Sequence, residues 1–136
     1  MGLLIDSSVL IAAERERIHL QTVLSANGDE SVAISVITAS EMLHGIQRAR
    51  TVEQVAKRQQ FVSFVLELFP IIPIDLEVAR HHARIWAELQ ARGELIGAHD
   101  LLIAASALAF GYGVMTFNVG EFARVPGLRT LNPAAA

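Results

Sequence analysis

The chain has no cysteine among its 136 residues. Disulfides, zinc–thiolate sites and thiol nucleophiles are therefore excluded. Charge is also scarce, at 18% of residues against 52% apolar, and mean hydropathy is +0.41. Such an apolar excess points to surface meant for a partner or for self-association. No long hydrophobic run is present. The longest, Leu101 to Phe110, is too short and too alanine-rich to span a bilayer. The opening MGLLIDSSVLIAAERER has no basic residue ahead of its apolar part, and Asp6 interrupts that part, so no secretory leader and a cytoplasmic location are expected. A basic excess is missing too. Net charge is −3 and pI about 5.9, which argues against nucleic-acid binding through a broad basic surface. Phosphate-cradling glycine loops are absent, since Gly111-Tyr112-Gly113 follows a helix and precedes a strand, the wrong order for a dinucleotide site. The only lysine, Lys57, lies mid-helix, which disfavours a phospho-receiver.

What is present is an alternation of strands and helices. Short apolar or β-branched runs at Gly2–Ile5, Ser31–Val36, Val114–Thr116 and Leu128–Leu131 read as strands, and Pro70–Ile74 as a short edge strand because of its prolines. Helices are expected over Ser8–Arg15, Arg17–Ala26, Thr38–Arg48, Val52–Leu68, Asp75–Arg92 and Ala98–Phe110, the last one buried. That alternation predicts a three-layer α/β/α sandwich with a mostly parallel, Rossmann-like central sheet. One domain over residues 1–133 and a frayed tail at 134–136 follow.

Four acids, Asp6, Glu41, Asp100 and Glu121, each stand where an apolar segment meets a turn or a helix start. In parallel sheets ligands bind beyond the carboxyl ends of the strands, so these acids are candidates to share one pocket. Each also has a local explanation. Thr38…Glu41 and Asn118…Glu121 have capping-box spacing, and Asp6 and Asp100 suit helix N-termini. Asp75 fits the same local pattern and is read as a cap. Asp6 directly follows Leu-Leu-Ile in the strand expected to be central, where a carboxylate is costly unless paired or metal-bound. Asp100 abuts the apolar Leu101–Ala105 segment. Carboxylates facing one another across such a crevice suit Mg²⁺ or Mn²⁺, and phosphodiester hydrolysis is chemistry that such an ion supports. The acidic net charge does not oppose that reading, because metal ligands lower it and bound metal restores it locally.

Four ordered blocks carry a resemblance. They are Leu4-Ile5-Asp6-Ser7-Ser8-Val9-Leu10-Ile11, Thr38-Ala39-Ser40-Glu41-Met42-Leu43-His44-Gly45, Ala98-His99-Asp100-Leu101-Leu102-Ile103-Ala104-Ala105 and Thr116-Phe117-Asn118-Val119-Gly120-Glu121-Phe122. Together with the following Ala123-Arg124-Val125-Pro126-Gly127-Leu128 they resemble PIN domains, and among those the VapC-type toxins of toxin–antitoxin pairs. The match runs from residue 2 to about residue 133. The resemblance implies an Mg²⁺- or Mn²⁺-dependent endoribonuclease, a cognate VapB-type antitoxin, a homodimer, and transfer or ribosomal RNA as substrate. It implies Asp6, Glu41 and Asp100 as central acids, with Glu121 as the fourth. Many PIN domains have an Asp where this chain has Asn118, so Asn118 is a neutral alternative. Ser7, Ser8 and Thr116 are expected to hydrogen-bond to the acids. In-line attack by an activated water would leave a 5′-phosphate and a 3′-hydroxyl.

Other readings stay open at this point: a PIN nuclease of RNA processing without an antitoxin, an inactive PIN-like binding module, or a His44/His99 acid–base pair needing no metal. Arg15, Arg17, Arg48, Arg50, Lys57 and Arg58 either line an RNA path or decorate solvated helix faces. Phe61, Phe64 and Leu68 form a stripe for the core, a subunit interface or an antitoxin groove.

Overall fold

The computed structural model describes residues 2–135. Strand β1 (Gly2–Ile5) is central, flanked by β2 (Ser31–Ser35) and β4 (Tyr112–Met115), with β3 (Ile71–Ile72) and β5 (Thr130–Leu131) at the edges. Every neighbouring pair runs parallel. Parallel neighbours need crossovers, and these are supplied by α1 (Ser7–Glu14), α2 (Leu20–Ala26), α3 (Val36–Gln47), α4 (Val52–Leu68), α5 (Leu76–Ala91), α6 (Ala98–Phe110) and the short α7 (Val119–Phe122).

The two-residue period of β1 splits the core. Leu4 points into a cluster with Val78, Ile85 and Leu89 of α5, Ile103 of α6 and Phe122 of α7. Leu3 and Ile5 point the other way, to Val9 and Leu10 of α1, Met42 of α3, and Val62 and Val65 of α4. Leu3, Leu4 and Ile5 are all fully buried, so truncating any of them to alanine would cost about 2–5 kcal/mol. The expected α/β/α sandwich is therefore present, with a sheet that is wholly parallel among the described residues.

The helix expected from Arg17 begins only at Leu20, and the two expected capping boxes fail for one shared reason. The helix expected from Thr38 begins at Val36, capped by Ser35, whose hydroxyl accepts from Ile37 N at 3.1 Å. Thr38 is buried within the first turn, and its hydroxyl has no hydrogen-bond partner. The Thr38/Glu41 capping box does not form. Asn118 stands at the start of α7, but its side chain makes no cap bond, so the second expected box is also missing. In both cases the glutamate has a tertiary partner instead. Asp75, by contrast, caps α5 by accepting from Val78 N at 3.0 Å, as expected. Gly111 closes α6 in the left-handed region, at φ 70°. Of the expected apolar stripe on α4, Phe64 and Leu68 are exposed; the buried positions are Val62 and Val65. Pro133–Ala135 form a single 3-10 turn, and Ala136, the end of the expected tail, lies outside the described residues. Among the described residues no helix is long and apolar enough to cross a membrane.

Candidate active site

The strand order reverses at β1. The chain leaves β1 for β2 on one side and returns to β4 on the other, opening a crevice at their carboxyl ends. Asp6 follows β1 directly and is 2% exposed. Thr116 follows β4 directly and is fully buried. Thr116 Oγ1 and Ser8 Oγ each donate to Asp6 Oδ2 at 2.8 Å. Both hydroxyls in turn accept from backbone, Thr116 from Asn118 N at 2.9 Å and Ser8 from Phe117 N at 3.1 Å. The two side chains thus fix Asp6 by one oxygen and leave Oδ1 without a side-chain donor among the described residues.

The other acids arrive from three elements. Glu41 on α3 accepts from Ser7 Oγ at 3.3 Å, and its other oxygen lies 3.6 Å from His99 Nδ1. Asp100 is the third residue of α6, and Glu121 lies in α7. Glu121 Oε1 accepts from the Gly97 backbone N–H at 2.7 Å. A methyl group placed on Gly97 would stand 3.6 Å from Glu121 Oε1 and 3.9 Å from Asp100 Oδ2, so both carboxylates lean over that glycine. Gly97 was not anticipated as a site residue. Its signal was its place immediately before the Ala98-His99-Asp100 helix start.

Asp100 reports the electrostatics. Burial pushes its carboxyl up from 3.8 to about 7, helped by a hydrogen bond with Glu121 and by the charges of Asp6, Glu121 and Glu41. No side-chain cation among the described residues offsets these charges. Asp6, Glu41 and Glu121 therefore all act on Asp100, while Ser7 bonds to Glu41 and Ser8 and Thr116 to Asp6. Asn118 enters through its backbone N–H. Among the described residues, however, no three Asp, Glu, His or Cys side chains form a ready-made metal-holding group. Geometry explains this: Glu41 is drawn to Ser7 and His99, and Glu121 to the Gly97 amide. An all-oxygen, negatively overcharged donor set fits a hard divalent cation of the Mg²⁺ or Mn²⁺ kind, provided those two glutamates turn inward.

A strand-order reversal lined by acids puts the candidate site where parallel α/β domains bind their ligands. Residues 3–128 match the PIN domain family. The chain is 38% identical over 131 residues to ribonuclease VapC1 of Rickettsia felis, covering 96% of each chain. It is 33% identical over 116 residues to the tRNA(fMet)-specific endonuclease VapC of Salmonella typhimurium, covering 85% of this chain and 80% of that one. The DNA-bound VapBC structure from Salmonella typhimurium superposes with a TM-score of 0.87 at 25% identity, covering 98% of both chains. The chain belongs to the PIN-domain family, in its VapC ribonuclease branch.

Proposed function

We propose that this chain is the toxin of a toxin–antitoxin pair, an endoribonuclease in which Asp6, Glu41, Asp100 and Glu121 hold Mg²⁺ or Mn²⁺. The observation that carries the reading is the buried Asp6 held opposite an Asp100 whose carboxyl is pushed up to about 7 by burial and by three acidic neighbours. When bound, such a cation makes a water nucleophilic near neutral pH and offsets charge on the phosphorane-like transition state.

The remaining work falls to the protein's own groups. Thr116 and Ser8 hold Asp6 by Oδ2, so that Oδ1 faces the crevice in one orientation. Ser7 orients Glu41, and the Gly97 amide restrains Glu121. Asp100 is the group most ready to carry a proton in the free enzyme and to lose it as the site fills. His99 lies beside Glu41, with Nδ1 3.6 Å from its carboxylate, and the reading needs no histidine for the chemistry.

The Salmonella relative's name supports transfer RNA as substrate class, and ribosomal RNA is the other structured candidate. The VapBC complexes among the structural neighbours support a VapB-type antitoxin as partner. Exposed Leu43, Phe64, Leu68, Leu76 and Trp86 supply apolar surface for that partner and for a homodimer, and the working location is the cytoplasm. The test is cleavage of structured RNA by purified protein, with and without chelator. Activity that resists EDTA rejects the metal assignment, and absence of activity with either metal rejects the nuclease reading.

A further inference from the structure

The chain's eleven lysines and arginines divide sharply by what they face. Arg80, Arg84, Arg92 and Arg129 pair with Glu77, Glu88, Glu94 and Glu30, and Arg124 donates to the Leu95 carbonyl. Arg15, Arg48, Arg50 and Arg58 have no carboxylate partner among the described residues, and all four line one groove of about 960 Å³. Arg17 and Lys57, equal to these in the sequence, lie outside it.

The groove has direction. At one end are Ser7, Glu41 and His99, members or neighbours of the acidic site; at the other are Arg48 and Arg50. Its walls are α1 and α4, with α3 along its length. From Glu41 to Arg48 is seven residues of chain, about 10 Å at 1.5 Å per helical residue. Glu14 is the one acid besides Glu41 in the lining.

Gly45 is a second, independent sign. It lies in the last turn of α3, still inside the helix, where glycine is worse than alanine for stability. A methyl group there would meet no heavy atom within 4 Å, so packing does not require glycine. The position lines the groove, and a side chain there would meet open space. Its carbonyl accepts from Arg58 Nη1 at 2.6 Å, fixing one groove arginine against α3.

We infer that this groove carries the phosphodiester backbone of a single-stranded RNA segment away from the four acids, an inference that rests on the nuclease reading above. Cleavage requires a phosphate at the acidic end, and the strand continuing from it passes His44, Arg48 and Arg50 in turn. Unpaired guanidinium forks match successive phosphates, each able to take one in bidentate fashion. The groove neutralises backbone charge and reads no base, so it sets affinity and register rather than sequence.

The test compares the full-length protein with Arg48→Ala/Arg50→Ala, with Gly45→Leu, and with Arg80→Ala/Arg84→Ala, which removes the same charge on α5. Binding of a labelled single-stranded RNA oligonucleotide is measured by anisotropy in EDTA across a salt series, and steady-state cleavage with Mn²⁺. Loss of two phosphate contacts should make the log K against log salt slope shallower by about 1.4, at 0.7 per contact on single strands. Affinity should fall about tenfold, and KM should rise by a similar factor with kcat within twofold. Gly45→Leu should raise KM while melting no lower than the parent, since leucine is the better helix former there, and the α5 pair should change little. If the groove variants bind RNA like the parent with an unchanged slope, or no worse than the α5 pair, the groove is not the path, whatever the cleavage result. If the parent does not cut RNA but the slope shifts as stated, the groove stands and the nuclease reading falls. Should a poly-glutamate peptide bind through Arg48 and Arg50 where RNA does not, the groove is a protein-docking site and the inference is overturned.

Discussion

Thr116→Val is the substitution that isolates how the central acid is held. Valine keeps the volume and shape of threonine in a fully buried position but removes the donor to Asp6 Oδ2 at 2.8 Å and the acceptor for Asn118 N at 2.9 Å. A hydrogen bond to an ionised group is worth about 1.5–3 kcal/mol. Ser8 continues to donate to the same oxygen, and Asn118 is exposed, so water recovers part of its loss. The lower half of the range therefore applies, about 2 kcal/mol. For a 136-residue chain that lowers Tm by about 7 °C, at about 3–4 °C per kcal/mol. The assay is urea and thermal unfolding in EDTA, run as a double-mutant cycle with Asp6→Ala, which removes the acceptor outright. Coupling between the two positions should be about 1–2 kcal/mol. Additivity within about 0.5 kcal/mol would refute the reasoning, because Thr116 would then serve as packing alone. A Thr116→Ser protein, which keeps the hydroxyl, should recover most of the coupling.

Further outcomes follow from the same geometry. The Asp100 carboxyl is raised from 3.8 to about 7, so between those values the folded state holds a proton that the unfolded chain has lost. Metal-free stability should therefore fall as pH rises from about 4 to about 7, and Asp100→Asn should flatten that part of a urea-midpoint profile. Mg²⁺ or Mn²⁺ at a hundred times its Kd should stabilise the protein by about 2.7 kcal/mol, an effect that calorimetry should find missing in Asp6→Asn. Asp75→Ala removes the α5 cap and should cost about 1 kcal/mol with RNA cleavage unchanged, since that helix start is not part of the crevice. Arg124 ties the 93–97 loop to α7 through the Leu95 carbonyl at 3.1 Å. Arg124→Ala should speed amide hydrogen exchange across that loop, most visibly at Gly97, whose N–H meets Glu121.

Much of this was legible in the order of residues, because strand periodicity and helix stops are local. Leu-Leu-Ile before Asp6 marked the central strand, Gly111 marked the end of α6, and Asp75 was a cap both by pattern and in fact. The failures share a cause. Serine or threonine three residues before a glutamate marks a capping box, but three residues is also the separation of neighbours on any helix face. The spacing at Thr38 and at Asn118 therefore carried no information on where each glutamate points. That was decided by Ser7 and Gly97, 34 and 24 residues away. The arginines show the same limit. Arg15 and Arg17 look alike in sequence, and only the packing of α1, α3 and α4 places the first in the groove and leaves the second out. On α4, Phe61 and Val65 join the core while Phe64 and Leu68 stay exposed, so of the readings open for that stripe only the core one fails for the latter two.

The central claim is that four converged carboxylates bind a divalent cation and cleave RNA with it. Its most direct measurement is 5′-end mapping of structured RNA incubated with the purified protein in Mn²⁺, in EDTA, and with folded Asp6→Asn and Asp100→Asn proteins. Discrete cuts with 5′-phosphate ends are expected in Mn²⁺ and none in the other three conditions. Cuts of the same pattern in EDTA, or from either variant, would contradict it.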